Sequence, residues 1–172
     1  PESNTMSAAE LTIAHMLNQS RNVIKANNTL KSGKWERSIF KGNELFQKTV
    51  GIVGLGRIGS LVAERLNSFD MNVIAYDPYI SDSRFKRYNV KKEKDLIDLI
   101  KKSDYITVHT PRNEETYHMI NDKHLDFFKK GVRLVNVARG GIIKESTIKK
   151  GLDKDIIKSA GIDVHEEEPC LN

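Results

Sequence analysis

Short apolar runs alternate along this chain with stretches whose apolar residues recur every three or four positions. Val50-Gly51-Ile52-Val53 is a first run, closed by glycines, and Ile58, Leu61, Val62 and Leu66 follow at helical spacing. Asn72-Val73-Ile74-Ala75-Tyr76 predicts a second strand, Tyr105-Ile106-Thr107-Val108 a third, Val132 through Val137 a fourth and Ser159 through Ile162 a fifth. Leu96, Ile97 and Ile100 mark a helix between the second and third, and Ile142 to Leu152 a helix between the fourth and fifth. Strands that alternate with helices predict an α/β fold, a doubly wound parallel sheet with helices on both faces.

Ahead of this core, residues 1–46 read as an N-terminal helix and a connection. Ser7 with Glu10 has the spacing of a capping box. One helical face would carry Ala8, Leu11, Ala14 or His15, and Asn18, with Ile13, Met16, Leu17 and Ile24 supplying most of the apolar surface. Residues 27–42 are rich in Lys, Ser, Asn and Gly. They predict a connection with a helical start, anchored by Trp35 and Phe40. Residues 47–172 form the expected core, and no boundary inside the chain suggests a second domain.

Composition narrows the classes. The 172 residues suit one domain with its own core. No apolar run approaches the roughly 18 residues of a membrane helix, and no signal-peptide pattern opens the chain. The net charge of +5 is dispersed in lysine pairs, Lys91-Lys92, Lys101-Lys102, Lys129-Lys130 and Lys149-Lys150, which read as solvated faces rather than a nucleic-acid stripe. One cysteine, Cys170, makes no internal disulfide and fits a reducing cytoplasm. No metal is expected, because His15, His118, His124 and His165 show no mutual ligand spacing. His109, at a strand end, suits packing better than proton transfer.

The chemistry begins at Gly54-Leu55-Gly56-Arg57-Ile58-Gly59, a G-x-G-x-x-G between a strand and an amphipathic helix, which is the context that gives the pattern weight. Gly54 allows the tight turn, Gly56 lets the backbone approach a pyrophosphate, and Gly59 lets the helix lie close to the strand. The helix N-terminus offers unpaired N–H groups to phosphates. Asp77 ends the second strand at the spacing expected of a carboxylate that holds the adenosine ribose. A carboxylate there repels a 2′-phosphate, so a Rossmann-type site for NAD is favoured over one for NADP.

Ligands of such sheets bind beyond the carboxyl ends of the strands. Those ends carry His109-Thr110-Pro111, Asn136-Val137-Ala138-Arg139-Gly140-Gly141 and Asp163. Arg139 presents a fork of donors suited to a carboxylate or carbonyl oxygen. Glu166-Glu167-Glu168-Pro169 is an acidic run near the cleft. Spacing alone favours solvation for it and singles out none of the three.

Together these motifs, with Gly33-Lys34-Trp35, Tyr76-Asp77-Pro78 and Gly161-Ile162-Asp163-Val164, resemble the D-isomer-specific 2-hydroxyacid dehydrogenase family over essentially the whole chain. The resemblance implies Arg57 and Ile58 at the pyrophosphate, Asp77 at the ribose, Thr110, Val137, Ala138 and Arg139 along the cofactor, and Asp163 at the nicotinamide carboxamide. It makes Arg139 the residue that orients a 2-hydroxy acid substrate and Glu168 the partner of a catalytic histidine. That histidine would lie in a Pro-His-Gly-like motif beyond residue 172, and the family's substrate domain is expected to be absent from these residues. The chain alone should then bind NAD with little turnover. Lys144 departs from a usually acidic position. The resemblance also implies a homodimer or homotetramer, with the opening helix at the dimer interface. Ser68-Phe69-Asp70-Met71 through Tyr76-Asp77-Pro78 is most similar to the branch acting on 3-phosphoglycerate. The alternatives are branches acting on glyoxylate, hydroxypyruvate or D-lactate, and corepressor-like modules that sense NAD.

Overall fold

The computed structural model describes residues 3–170, so Pro1, Glu2, Leu171 and Asn172 at the ends of the expected unit lie outside the described residues. Six parallel strands form one sheet: β1 (Thr49–Val53), β2 (Asn72–Tyr76), β3 (Lys91–Lys92), β4 (Tyr105–Val108), β5 (Val132–Asn136) and β6 (Ile157–Ile162). Their spatial order is β3-β2-β1-β4-β5-β6. The chain runs outward from β1 to β3, then returns to the other side of β1 to build β4 to β6. The crossover opens a crevice between β1 and β4 at their carboxyl ends.

Alternation along each strand feeds two separate apolar layers. Val50, Ile52, Val73, Ala75, Tyr105 and Val135 pack on one side with helices α1 (Ser3–Arg21) and α3 (Arg57–Asn67) and with Phe85 of α4 (Asp82–Arg87). Ile74, Ile106, Val108, Val132 and Leu134 pack on the other, with Leu99 and Ile100 of α5 (Leu96–Lys102) and Ile148 of α6 (Glu145–Asp153). The expected doubly wound α/β architecture is therefore the observed one. Helix α2 (Val23–Lys31) and a 3-10 turn over Arg37–Phe40 lie in the N-terminal connection.

Several local expectations fail for physical reasons. Helix α1 is already formed at Ser3, so Ser7 and Glu10 lie inside it and cap nothing. Its buried face is Ala9, Thr12, Met16 and Ser20, whereas Leu11 and Leu17 are exposed. Thr12 and Ser20 are tolerated there because each hydroxyl donates to the carbonyl four residues earlier, at 2.8 Å, and Ser20 Oγ also lies 2.8 Å from Tyr105 Oη. Trp35 anchors nothing, being 79% exposed, and Phe40 is half-buried. Ile142 lies in a bend, Ile143 is bridged to Ile120 and Lys144 is extended, so α6 starts only at Glu145.

Candidate functional site at the carboxyl rim of the sheet

All six strands run the same way, so the loops that leave them share one rim. The glycine turn follows β1, Asp77 follows β2, Thr110 follows β4, Arg139 follows β5 and Asp163 follows β6. The structure thus brings every expected site residue to one edge of the molecule.

Gly54 has φ +93°, a backbone conformation that L side chains rarely adopt. A Cβ on Gly59 would collide with the Gly54 carbonyl oxygen, which keeps the first turn of α3 tight against β1. Gly56 caps α3, and a Cβ there would meet nothing within 4 Å. The backbone at Gly56 is thus open to a group as large as a pyrophosphate, next to the exposed Arg57 and the half-buried Ile58. Beside it, Thr110 Oγ1 is buried without a hydrogen-bond partner, and a polar ligand could satisfy it. Both features fit a dinucleotide.

Asp77 is held in place by backbone. One carboxylate oxygen accepts from the Leu55 amide at 2.8 Å, the other from the Tyr79 amide at 3.0 Å. The acid is thereby tied to the glycine turn and retains lone pairs for ribose hydroxyls. Tyr79 reaches across the rim and donates its hydroxyl to Glu115, on the loop after β4. Hydrogen bonding to that carboxylate, reinforced by its negative charge, raises the Tyr79 pKa.

His109 lies 2.9 Å through Nε2 from Thr107 Oγ1, and desolvation pushes its pKa down to about 4. A neutral imidazole with such a low pKa is a poor proton shuttle near neutrality, in line with the packing role expected of it.

At the other end of the rim, Arg139, Gly140, Glu168, Arg112, His165 and Glu166 line a cleft of about 430 Å³. Arg139 is exposed, and its guanidinium donates to the Ala138 carbonyl at 2.6 Å. Val137 and Ala138 are buried and contribute wall rather than free side chain. Asp163 is exposed, its amide donating to the Asn136 carbonyl at 3.0 Å. Glu168 Oε1 accepts from the His165 amide at 3.0 Å. Of the acidic run, Glu166 is the most engaged. Its Oε1 accepts from the Glu145 amide at 2.7 Å, while Glu145 Oε1 accepts from the Glu166 amide at 2.8 Å. Its other oxygen lies 3.2 Å from His118 Nε2, off the line of a hydrogen bond.

Several residues to which the sequence assigns no role shape the turn and loop beside this cleft. Asn136 is buried and clamps the turn, its Oδ1 accepting from the Ala138 amide at 3.1 Å and its Nδ2 donating to the Arg139 carbonyl at 2.9 Å. An Asn closing a strand before a turn is a legible Asx signal. Arg112, Tyr117 and His118 form a stack that no spacing rule announces. The Arg112 guanidinium lies 4.9 Å over Tyr117, whose ring is 3.9 Å from that of His118. Among the described residues, no three His, Cys, Asp or Glu side chains are grouped to hold a metal, and no helix is long and apolar enough to cross a membrane.

Residues 13–172 match the D-isomer specific 2-hydroxyacid dehydrogenase, NAD binding domain. The chain belongs to that family. The D-3-phosphoglycerate dehydrogenase of Methanocaldococcus jannaschii is 43% identical over 169 residues, which is 98% of this chain and 32% of that protein. The Bacillus subtilis protein of the same name is 42% identical over all of this chain and 33% of its own length. The chain thus spans about a third of the curated relatives it matches. Among solved structures, D-lactate dehydrogenase from Aquifex aeolicus, complexed with NAD and lactic acid, superposes with a TM-score of 0.89 at 32% identity, covering 98% of this chain and 50% of that one. The pyruvate reductase of Chlamydomonas reinhardtii gives 0.91 at 32%, covering 97% and 49%.

Proposed function

We propose that this NAD-binding domain serves a dehydrogenase that oxidises 3-phosphoglycerate to 3-phosphohydroxypyruvate, a step of serine biosynthesis. The observation that carries the NAD site is the shared rim, with an open glycine cradle, a backbone-held Asp77 and the exposed Arg139 at consecutive strand ends. The names of the 42–43% identical relatives support the substrate. In this reading Gly54, Gly56, Arg57, Ile58 and Gly59 hold the pyrophosphate, Asp77 the ribose, and Thr110, Val137, Ala138 and Asp163 the nicotinamide half. Bound NAD supplies the hydride acceptor. Arg139 orients the substrate carboxylate and stabilises charge on its C2 oxygen. Glu168 hydrogen-bonds an imidazole base, contributed from outside residues 1–172, and raises its pKa. Residues 1–172 form one cofactor unit, with the N-terminal helix and connection through residue 46.

The test has two parts. Calorimetry should give NAD binding by the chain, with little or no turnover of 3-phosphoglycerate. In a full-length enzyme, Arg139→Ala should lower kcat/KM about a hundredfold while NAD affinity is kept. Unchanged catalysis would remove Arg139 from its role, and a preference for lactate or glyoxylate in a substrate panel would replace the substrate.

We also propose a cytoplasmic homodimer or homotetramer. Val23, Ile24, Leu30, Trp35 and Ile39, on α2 and the residues after it, are each more than half exposed, and Leu30 and Trp35 line a groove of about 1150 Å³. Apolar exposure of this kind suits a self-complementary contact between copies. Trp35→Glu should shift sedimentation toward monomer.

A further inference from the structure

The order β2-β1-β4 sets the loops after β2 and β4 on either side of the glycine turn. On one side the Tyr79 amide is bonded to Asp77, so its backbone abuts the proposed ribose position. The Tyr79 side chain is 77% exposed and spans to the other side, where its hydroxyl meets Glu115. Glu115 is fixed at its own backbone. Asn113 Oδ1 accepts from the amides of both Glu115 and Thr116 at 3.0 Å, and Thr116 Oγ1 donates to the Pro111 carbonyl at 2.6 Å. An aromatic ring and an acceptor-only carboxylate therefore rim the slot into which a base attached to that ribose must project. A purine extends from its ribose about as far as a tyrosyl side chain extends from its backbone, so a base that projects from that ribose alongside Tyr79 would bring its edge within reach of Glu115.

We propose that Glu115 selects the base of the dinucleotide by accepting a hydrogen bond from the exocyclic amine of adenine, which takes the place of the Tyr79 hydroxyl, while the freed Tyr79 ring lies against the base. The inference rests on the NAD reading above. An ionised carboxylate accepts and never donates. Adenine presents an amine at C6, whereas hypoxanthine and guanine present a carbonyl oxygen that repels a carboxylate. Stacking on an aromatic ring tolerates any base, so Tyr79 contributes affinity and Glu115 contributes choice.

The test compares the dissociation constants of NAD and its hypoxanthine analogue by calorimetry on this chain, which carries its own core. The parent should prefer NAD by about tenfold. Glu115→Gln should bring the two within about twofold, because an amide both donates and accepts. Tyr79→Phe keeps the ring and should keep the preference. Equal affinities in the parent, a tenfold preference surviving in Glu115→Gln, or its loss in Tyr79→Phe would each overturn the inference and leave NAD binding intact. Failure of both dinucleotides to bind the parent would overturn the NAD reading together with it. Unchanged thermal melting of the variants, whose substitutions lie on exposed loops, confirms that selectivity rather than folding is being read.

Discussion

Gly140→Ala isolates the fit between the Arg139 turn and the loop that carries Glu168. A Cβ at Gly140 would lie far inside contact distance of the His165 carbonyl group and 2.9 Å from the Glu166 amide nitrogen. All of these atoms are backbone, so no side chain can swing away. The loop has to retreat by more than an ångström, which breaks the paired hydrogen bonds of 2.7 and 2.8 Å between Glu145 and Glu166. Overpacking of this kind costs about 1–3 kcal/mol, and each lost bond to a partly exposed carboxylate about 1 kcal/mol. The stiffer unfolded chain returns about 0.5 kcal/mol. The net expectation is a loss of about 3 kcal/mol. With a urea slope on the order of 2 kcal/mol/M, the unfolding midpoint followed by far-UV circular dichroism should fall by about 1.5 M. In a full-length enzyme the same change should depress kcat, since Glu168 moves with the loop. A midpoint within about 0.3 M of the parent would refute the reasoning, because it would mean that the loop yields freely.

Two further outcomes follow from the same rim. Gly56→Ala places a Cβ in open space, so stability should stay within about 1 kcal/mol while NAD affinity, measured by calorimetry, falls at least about tenfold. His109 titrates near 4 when folded and at its ordinary 6.5 when unfolded, so below 6.5 the unfolded chain binds the extra proton. Its contribution is complete above pH 6.5 and is lost as pH falls toward 4, about 3 kcal/mol in all. Urea midpoints at pH 7.5, 5.5 and 4.5 should decline less steeply in His109→Gln.

The parts of the fold that could be read from the sequence are those in which side-chain pattern and backbone demand coincide. Strands β1, β2, β4 and β5 are apolar runs because helices cover both of their faces, and the glycine turn is legible because each of its three glycines answers a separate steric need. The phase of helix α1 is not legible in the sequence because Thr12 and Ser20 hide their hydroxyls on α1's own carbonyls, so its buried face does not look apolar. Strand β3 carried no signal, being two exposed lysines paired to Ile74 and Ala75. At the site, Asp77 and Arg139 stood out at strand ends. The Glu145–Glu166 exchange and the Tyr79–Glu115 contact join residues 21 and 36 apart, and such pairings exist only once the strands are set side by side.

Strand β3 also constrains how copies can join. It is the outer strand on its side of the sheet, and its two residues are Lys91 and Lys92. A second molecule that extended the sheet there would set its own lysines against these and would have to accommodate Lys92 in its ion pair of 2.6 Å with Asp82, so charge and shortness make this border a poor template for end-to-end growth into fibres. Association is thereby steered away from that border.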